Sequence, residues 1–88
     1  MIFLLNKYQM NDIQQKLFAI ISKFYSPKTP VSLDLTLKDD LKLDSLSFTE
    51  LVVACEDEFG IEIDHPDTQA AETVGDLYNI IVNLVSSN

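Results

Sequence analysis

The sequence contains no arginine, one cysteine, one histidine, two glycines and three prolines. A lone cysteine, Cys55, cannot close an intramolecular disulfide, so the cross-linked scaffold of small secreted domains is excluded and a reducing cytosol is the expected compartment. With one histidine, no His or Cys cluster at metal-ligand spacing and no Gly-rich phosphate loop, the usual machinery of a metalloenzyme or nucleotide-dependent enzyme is missing, and no metal site is expected. Long apolar runs are absent too. Ile2-Phe3-Leu4-Leu5 is stopped by Asn6 and Lys7, far short of a membrane span or a signal core, and no small-residue cleavage site follows. Residues 1–9 are expected to form a loose, disordered N-terminal extension, and no membrane insertion is expected.

Basic residues are missing from one half of the chain. The six lysines, the last of them Lys42, share the first part with four acids, while ten acids and no base follow, giving halves of +2 and -10 within a net charge of -8. The acidic half repels phosphate backbones and attracts basic protein surfaces, which excludes nucleic acid as a partner. An ordinary solvated helix face would also carry acids, so charge alone does not settle their purpose.

What is present is a core. The 88 residues are 47% hydrophobic, enough for one small domain, a monomer by default. Ile13, Leu17, Ile20, Ile21 and Phe24 fall on one stripe of a helix over residues 11–25, with Asn11 and Gln14 resembling a capping box and Ser26-Pro27-Lys28-Thr29-Pro30 ending it. A long loop to about Asp44 offers Leu33, Leu35, Leu37 and Leu41 to the core. Its alternation over 31–37 reads as a strand, but nothing else in the chain reads as a strand to pair with it. A second helix over 45–59 is closed by Gly60, after which Ile61 and Ile63 turn back to the core. Pro66 and residues 67–71 suggest a further helical turn. Thr73-Val74-Gly75-Asp76 caps a last helix carrying Val74, Leu77, Tyr78, Ile81, Leu84 and Val85. The expected fold is all-α, a four-helix bundle of three long helices and one short one.

On a wheel at about 100° per residue, Phe48, Leu51, Val52, Cys55 and Phe59 form the core stripe of the second helix. Leu46, Glu50, Val53 and Asp57 fall on the opposite side, two apolar residues interleaved with two acids, the pattern of a docking stripe with anchors and steering charges. Scattered surface apolars would look the same. A catalytic pair of Cys55 and His65 is disfavoured because Cys55 lies on the core stripe, where a thiol behaves as a small hydrophobe, and His65 beside Pro66 reads as a loop residue. Asp39, Asp40 and Asp44 fail the calcium-loop spacing.

The stretch Asp40-Leu41-Lys42-Leu43-Asp44-Ser45-Leu46, with Glu50-Leu51, Ala54, Glu56-Asp57-Glu58-Phe59 and Ile61-Glu62-Ile63 after it, resembles the acyl carrier proteins. The likeness covers roughly residues 11–85 and implies a single carrier domain over residues 10–86. It implies that Ser45 carries 4'-phosphopantetheine, derived from coenzyme A, within an Asp44-Ser45-Leu46 motif, and that the chain is a non-catalytic carrier of acyl thioesters. A serine at a helix start suits a phosphate through the unpaired N–H groups and positive dipole end, although Asp44 opposes it by charge. Read structurally, Ser45 is a plain N-cap worth about 1 kcal/mol.

The resemblance also implies partners: a phosphopantetheinyl transferase, and acyl synthases, reductases and transferases whose basic patches meet Glu50, Glu56, Asp57 and Glu62, with Leu46 and Val53 as apolar contacts. Lys42 and Leu43 stand where the fatty-acid pattern has a glycine and a small or methionine residue, a departure that leaves the carrier assignment intact and the pathway open; a fatty-acid or related acyl-transfer pathway, including polyketide, is the expected one. A D-alanyl or other aminoacyl carrier and an unmodified acidic adaptor are the alternatives. The interior lined by Phe48, Val52, Cys55, Phe59, Ile63 and the last helix is where an acyl chain is expected to shelter.

Overall fold

Apolar side chains at helical spacing produce four helices in the computed structural model, which describes residues 10–24 and 30–87. They are α1 (Met10–Phe24), α2 (Ser45–Phe59), α3 (His65–Ala70) and α4 (Val74–Ser87). The expected extension over 1–9 and most of the Ser26–Pro30 stop lie outside the described residues. Ile13, Leu17 and Ile21 of α1, Leu51, Cys55 and Phe59 of α2, and Val74, Leu77 and Ile81 of α4 meet in one buried core. An exposed ion pair between Lys16 Nζ and Glu58 Oε2, at 3.3 Å, joins the middle of α1 to the last turn of α2. A pair this exposed contributes under about 1 kcal/mol; hydrophobic burial holds the bundle.

The connection from α1 to α2 is fixed by leucines and by backbone. Leu37 and Leu41 are buried, with Leu33 and Leu35 packed at the edge of the core. The stretch over 31–37 is loop rather than strand, as expected, but Thr36 forms an isolated antiparallel bridge with Thr73. Leu37 N–H donates to the Glu72 carbonyl at 2.9 Å, and the N–H groups of Val74 and Gly75 donate to the carbonyls of Leu35 and Leu33, each at 2.9 Å. The partner is a helix start, which carries no alternating pattern and so is invisible to a search for strands. Every early N–H of α4 is thereby accounted for, because Asp76 N–H donates to Thr73 Oγ1 at 3.1 Å and Leu77 N–H to the Thr73 carbonyl at 3.2 Å. Asp76 Oδ2 in return accepts from Glu72 and Thr73 N–H, the reciprocal box expected at this cap.

Three boundaries differ from the sequence reading. Helix α1 already includes Met10, so Asn11 lies inside it rather than capping it; helix ends are uncertain by a residue or two from pattern alone. Helix α3 begins at His65, which is therefore no loop residue, because Pro66 fits the first turn of a helix where its missing N–H costs nothing. The residue capping α2 is Asp44, with Ser45 the first residue inside the helix.

Candidate functional site

The start of α2 is built by its cap. Asp44 has extended backbone, and its Oδ1 accepts the Ser47 N–H at 2.8 Å while its carbonyl accepts the Phe48 N–H at 2.9 Å. The Ser47 N–H bond, first among the causes, holds the Asp44 carboxyl below the usual carboxylate range and keeps it ionised. Ser45 is therefore released from capping, the correction to the N-cap reading. Its side chain is exposed, and among the described residues no hydrogen bond holds its hydroxyl. Its carbonyl takes the Thr49 Oγ1 hydrogen at 2.8 Å.

Three residues upstream, Lys42 has φ 56°, the one non-glycine in the left-handed region among the described residues. This is where the fatty-acid pattern has glycine, and the backbone conformation explains why. Burial of Leu41 and Leu43 on either side holds the turn. So do the bonds from Leu41 N–H to the Thr36 carbonyl, at 3.0 Å, and from Leu43 N–H to the Leu37 carbonyl, at 3.1 Å.

Ser45 opens onto a groove of about 610 Å³. One wall is the α2 stripe Ser45, Phe48, Thr49, Val52, Val53 and Glu56; the other is Ile63, Thr68, Gln69 and Ala71, with Leu37, Lys38, Leu43 and Asp44 around the serine end. The eleven steps from Ser45 to Glu56, at about 1.5 Å each, make the stripe roughly 16 Å long. The sequence reading put Phe48 and Val52 in the core, together with Cys55 and Phe59, as one acyl-sheltering interior. The structure divides them. Leu51, Cys55 and Phe59 are the buried face, whereas Phe48 and Val52 are half-buried and line the groove with Ile63, and Cys55 and Phe59 do not. Burial pushes the Cys55 thiol up to about 12, with the Glu56 charge adding to it, so it is no nucleophile. Of the groove residues that the sequence reading missed, Thr49 shares the α2 register of Ser45 and Val52, whereas Lys38, Thr68 and Gln69 lie on the connections and α3, where no periodicity leads from Ser45 to them.

Leu46, Glu50, Val53 and Asp57 all reach the surface of α2, and Leu46 and Val53, 69% and 47% exposed, are the large apolar residues that the fold leaves out among the described residues. Glu62 is also exposed, beyond the end of α2. Glu56 stands apart from these acids: it is half-buried, and its Oε2 accepts the Ile63 N–H at 2.8 Å.

A family model for the phosphopantetheine attachment site matches residues 15–81. A solved acyl carrier protein from Enterococcus faecalis is 38% identical, the match covering 88% of this chain and 99% of that one at a TM-score of 0.75. The chain belongs to the acyl carrier protein family. A candidate acyl carrier protein from Mycobacterium tuberculosis is 32% identical over 81% of this chain and 96% of its own length, with a TM-score of 0.76. One from Thermotoga maritima is 26% identical over 89% and 92%, with a TM-score of 0.73. As a carrier of this family the protein takes a covalent 4'-phosphopantetheine group and works with a phosphopantetheinyl transferase and acyl-handling enzymes. The start of α2 fits such a group, since it offers an unengaged, exposed hydroxyl at the positive end of a helix and beside a groove that Phe48, Val52 and Ile63 line along with polar side chains. No helix among the described residues is long and apolar enough to cross a membrane.

Proposed function

We propose that Ser45 carries the phosphopantetheine arm, and that the carrier presents acyl groups to fatty-acid or related acyl-transfer and polyketide enzymes through the outer face of α2. The observation that carries this reading is the exposed Ser45 hydroxyl, free of the cap, at the mouth of the groove. The arm, when attached, supplies a thiol that holds the cargo as a thioester. The chain's own residues do the rest. Asp44 fixes the first turn through the Ser47 N–H, which sets the direction of the serine side chain. Phe48, Val52 and Ile63 offer apolar surface to the cargo. That lining favours an acyl chain over a polar aminoacyl group. The chain acts as a carrier without catalysis of its own, and the transferase brings the metal and the general base.

On the outer face, Leu46 and Val53 supply apolar contact and Glu50, Asp57 and Glu62 steer basic surfaces, with Glu56 adding to the field. The placement of the acids supports docking over stability. Asp57 sits exposed in the last turn of α2, which holds no basic residue, at the helix end whose dipole disfavours negative charge, whereas its neighbours Glu56 and Glu58 are tied to the Ile63 N–H and to Lys16. Intact mass after incubation with coenzyme A and a broad-specificity phosphopantetheinyl transferase tests the assignment. One adduct, mapped to Ser45 and absent from Ser45→Ala, is expected. An adduct retained in Ser45→Ala overturns the site, and no adduct on the folded protein, beside a carrier modified in parallel, favours the unmodified adaptor.

A further inference from the structure

The groove that starts at Ser45 has a far end, and a hydrogen bond forms it. Glu56 Oε2 accepts the Ile63 N–H across seven residues at 2.8 Å, while the Glu56 carbonyl accepts the N–H groups of Gly60 and Ile61 at 2.9 and 3.2 Å. Glu56 and Ile63 both line the groove, and both also line a second hollow bounded by Gly60, Ile61, Asp64 and Leu84. The bonded pair is thus the partition between the two spaces. The burial of Ile61 and Ile63 anchors this wall on its core side, and the Glu56 carboxylate is the side chain that ties its backbone to α2. Asp64 makes no side-chain cap to α3, which has six residues and packs less against the long helices than they do against each other.

We propose that the Glu56–Ile63 bond is the stop that sets how long an acyl chain the groove shelters, with Glu56 a positioning residue for the wall. The inference rests on the carrier reading with the arm at Ser45. Cargo entering beside Ser45 meets the partition roughly 16 Å along α2, at about 1.5 Å per residue. Breaking the bond orphans a backbone N–H, lets residues 61–64 move outward, and joins the groove to the hollow that Leu84 lines.

Two substitutions separate the bond from the charge. Glu56→Asp keeps the charge but withdraws the carboxylate by one methylene, whereas Glu56→Gln keeps the reach and an acceptor oxygen without the charge. Each protein is loaded from coenzyme A thioesters of butyrate, octanoate, dodecanoate and palmitate, and Tm is compared with the unacylated form, since a ligand held only by the native state raises Tm. The unaltered protein and Glu56→Gln are expected to rise with chain length and level off at the same chain, and Glu56→Asp to keep rising to longer chains. Amide exchange at Ile63, measured on the unloaded proteins, is expected to be about tenfold faster in Glu56→Asp alone. In the unaltered protein, palmitoyl loading is expected to speed Ile63 exchange relative to octanoyl. The inference is overturned if Glu56→Asp levels off with the unaltered protein, if Glu56→Gln shifts in its place, or if Ile63 exchanges equally under both cargoes. A failure of the carrier reading shows separately, as no mass added at Ser45, whereas Ile63 exchange in the unloaded proteins reads the bond without any arm.

Discussion

Asp44 Oδ1 accepts the Ser47 N–H at 2.8 Å, so the aspartate ahead of the candidate serine, and not the serine, closes the first turn of α2. The reverse arrangement opens α4, where Asp76 lies inside the helix and accepts from the Glu72 and Thr73 N–H ahead of it while its own N–H donates to Thr73 Oγ1. Those bonds, to the Ser47 N–H in one case and to the Glu72 and then Thr73 N–H in the other, lower both carboxyls in the folded protein. A lowered carboxyl adds stability that is complete above the unfolded value of about 3.9 and is lost as pH falls through the folded one. Thermal stability is therefore expected to drop below about pH 4, and to drop less in Asp44→Asn and Asp76→Asn, each compared with its own neutral-pH Tm. A parallel acid profile in the variants would detach these caps from the acid loss.

Lys42 holds a left-handed φ of 56° that a lysine does not favour. The penalty for an L-residue there is about 1–2 kcal/mol, and glycine gives back about 0.5–1 kcal/mol through greater freedom in the unfolded chain. Lys42→Gly is expected to stabilise the protein by up to about 1 kcal/mol, and Lys42→Val to destabilise it, in urea titrations. A destabilised Lys42→Gly would mean that the lysine side chain outweighs the backbone strain.

Cys55 titrates far from its ordinary range, pushed by burial up to about 12. The folded state keeps the proton where the unfolded chain has lost it, so stability is complete below about pH 8.5 and declines above it by about 1.4 kcal/mol per pH unit until the folded value is reached. Cys55→Ala is expected to cost stability at pH 7 yet to lose this alkaline slope. In the native protein the thiol resists alkylating reagents, and rapid labelling at neutral pH would contradict its burial.

Gly60 ends α2 at φ 65°, with nothing near the place a Cβ would occupy. Gly60→Ala is expected to cost about 1 kcal/mol from backbone strain alone. Gly75 is the opposite case, since a Cβ there stands 3.2 Å from the Leu33 carbonyl oxygen, the acceptor of its own N–H. Gly75→Ala adds helix propensity of about 1 kcal/mol against that crowding. Amide exchange at Val74 and Gly75 checks whether the contact loosens.

Glu50 and Asp57 carry the steering argument. The double variant Glu50→Lys and Asp57→Lys is expected to weaken binding to the phosphopantetheinyl transferase and to flatten its salt dependence, while leaving the fold intact because both side chains are exposed. Titrations across a salt series measure both, and an unchanged slope would sink the steering role.

The sequence was readable where period and punctuation coincide. The stripe from Ile13 to Ile21, Gly60, and Thr73 with Asp76 each state an element or its end, and the fold obeys them. It was unreadable where one residue serves two neighbours. Phe48 and Val52 share the apolar half of the α2 wheel with Leu51 and Cys55, and only the placement of Ile63 and Ala71 opposite them makes one pair groove and the other core. Ser45 and Asp44 are both good caps, and the wheel cannot choose between adjacent candidates. Glu56 reads as one more surface acid, since its bond to Ile63 depends on how the chain folds back after Gly60.

The bond between Leu37 N–H and the Glu72 carbonyl, beside the Thr36–Thr73 bridge, pinches together the two ends of everything from the approach to Ser45 through α3. Topologically the working half of the protein is a closed excursion hung from a clasp, while α1 and α4 pack on each other behind it. Because α2 packs on α1 at least as closely as α4 does, the excursion is itself part of the frame, and only its stretches that stay off the core are open to change without loss of the fold.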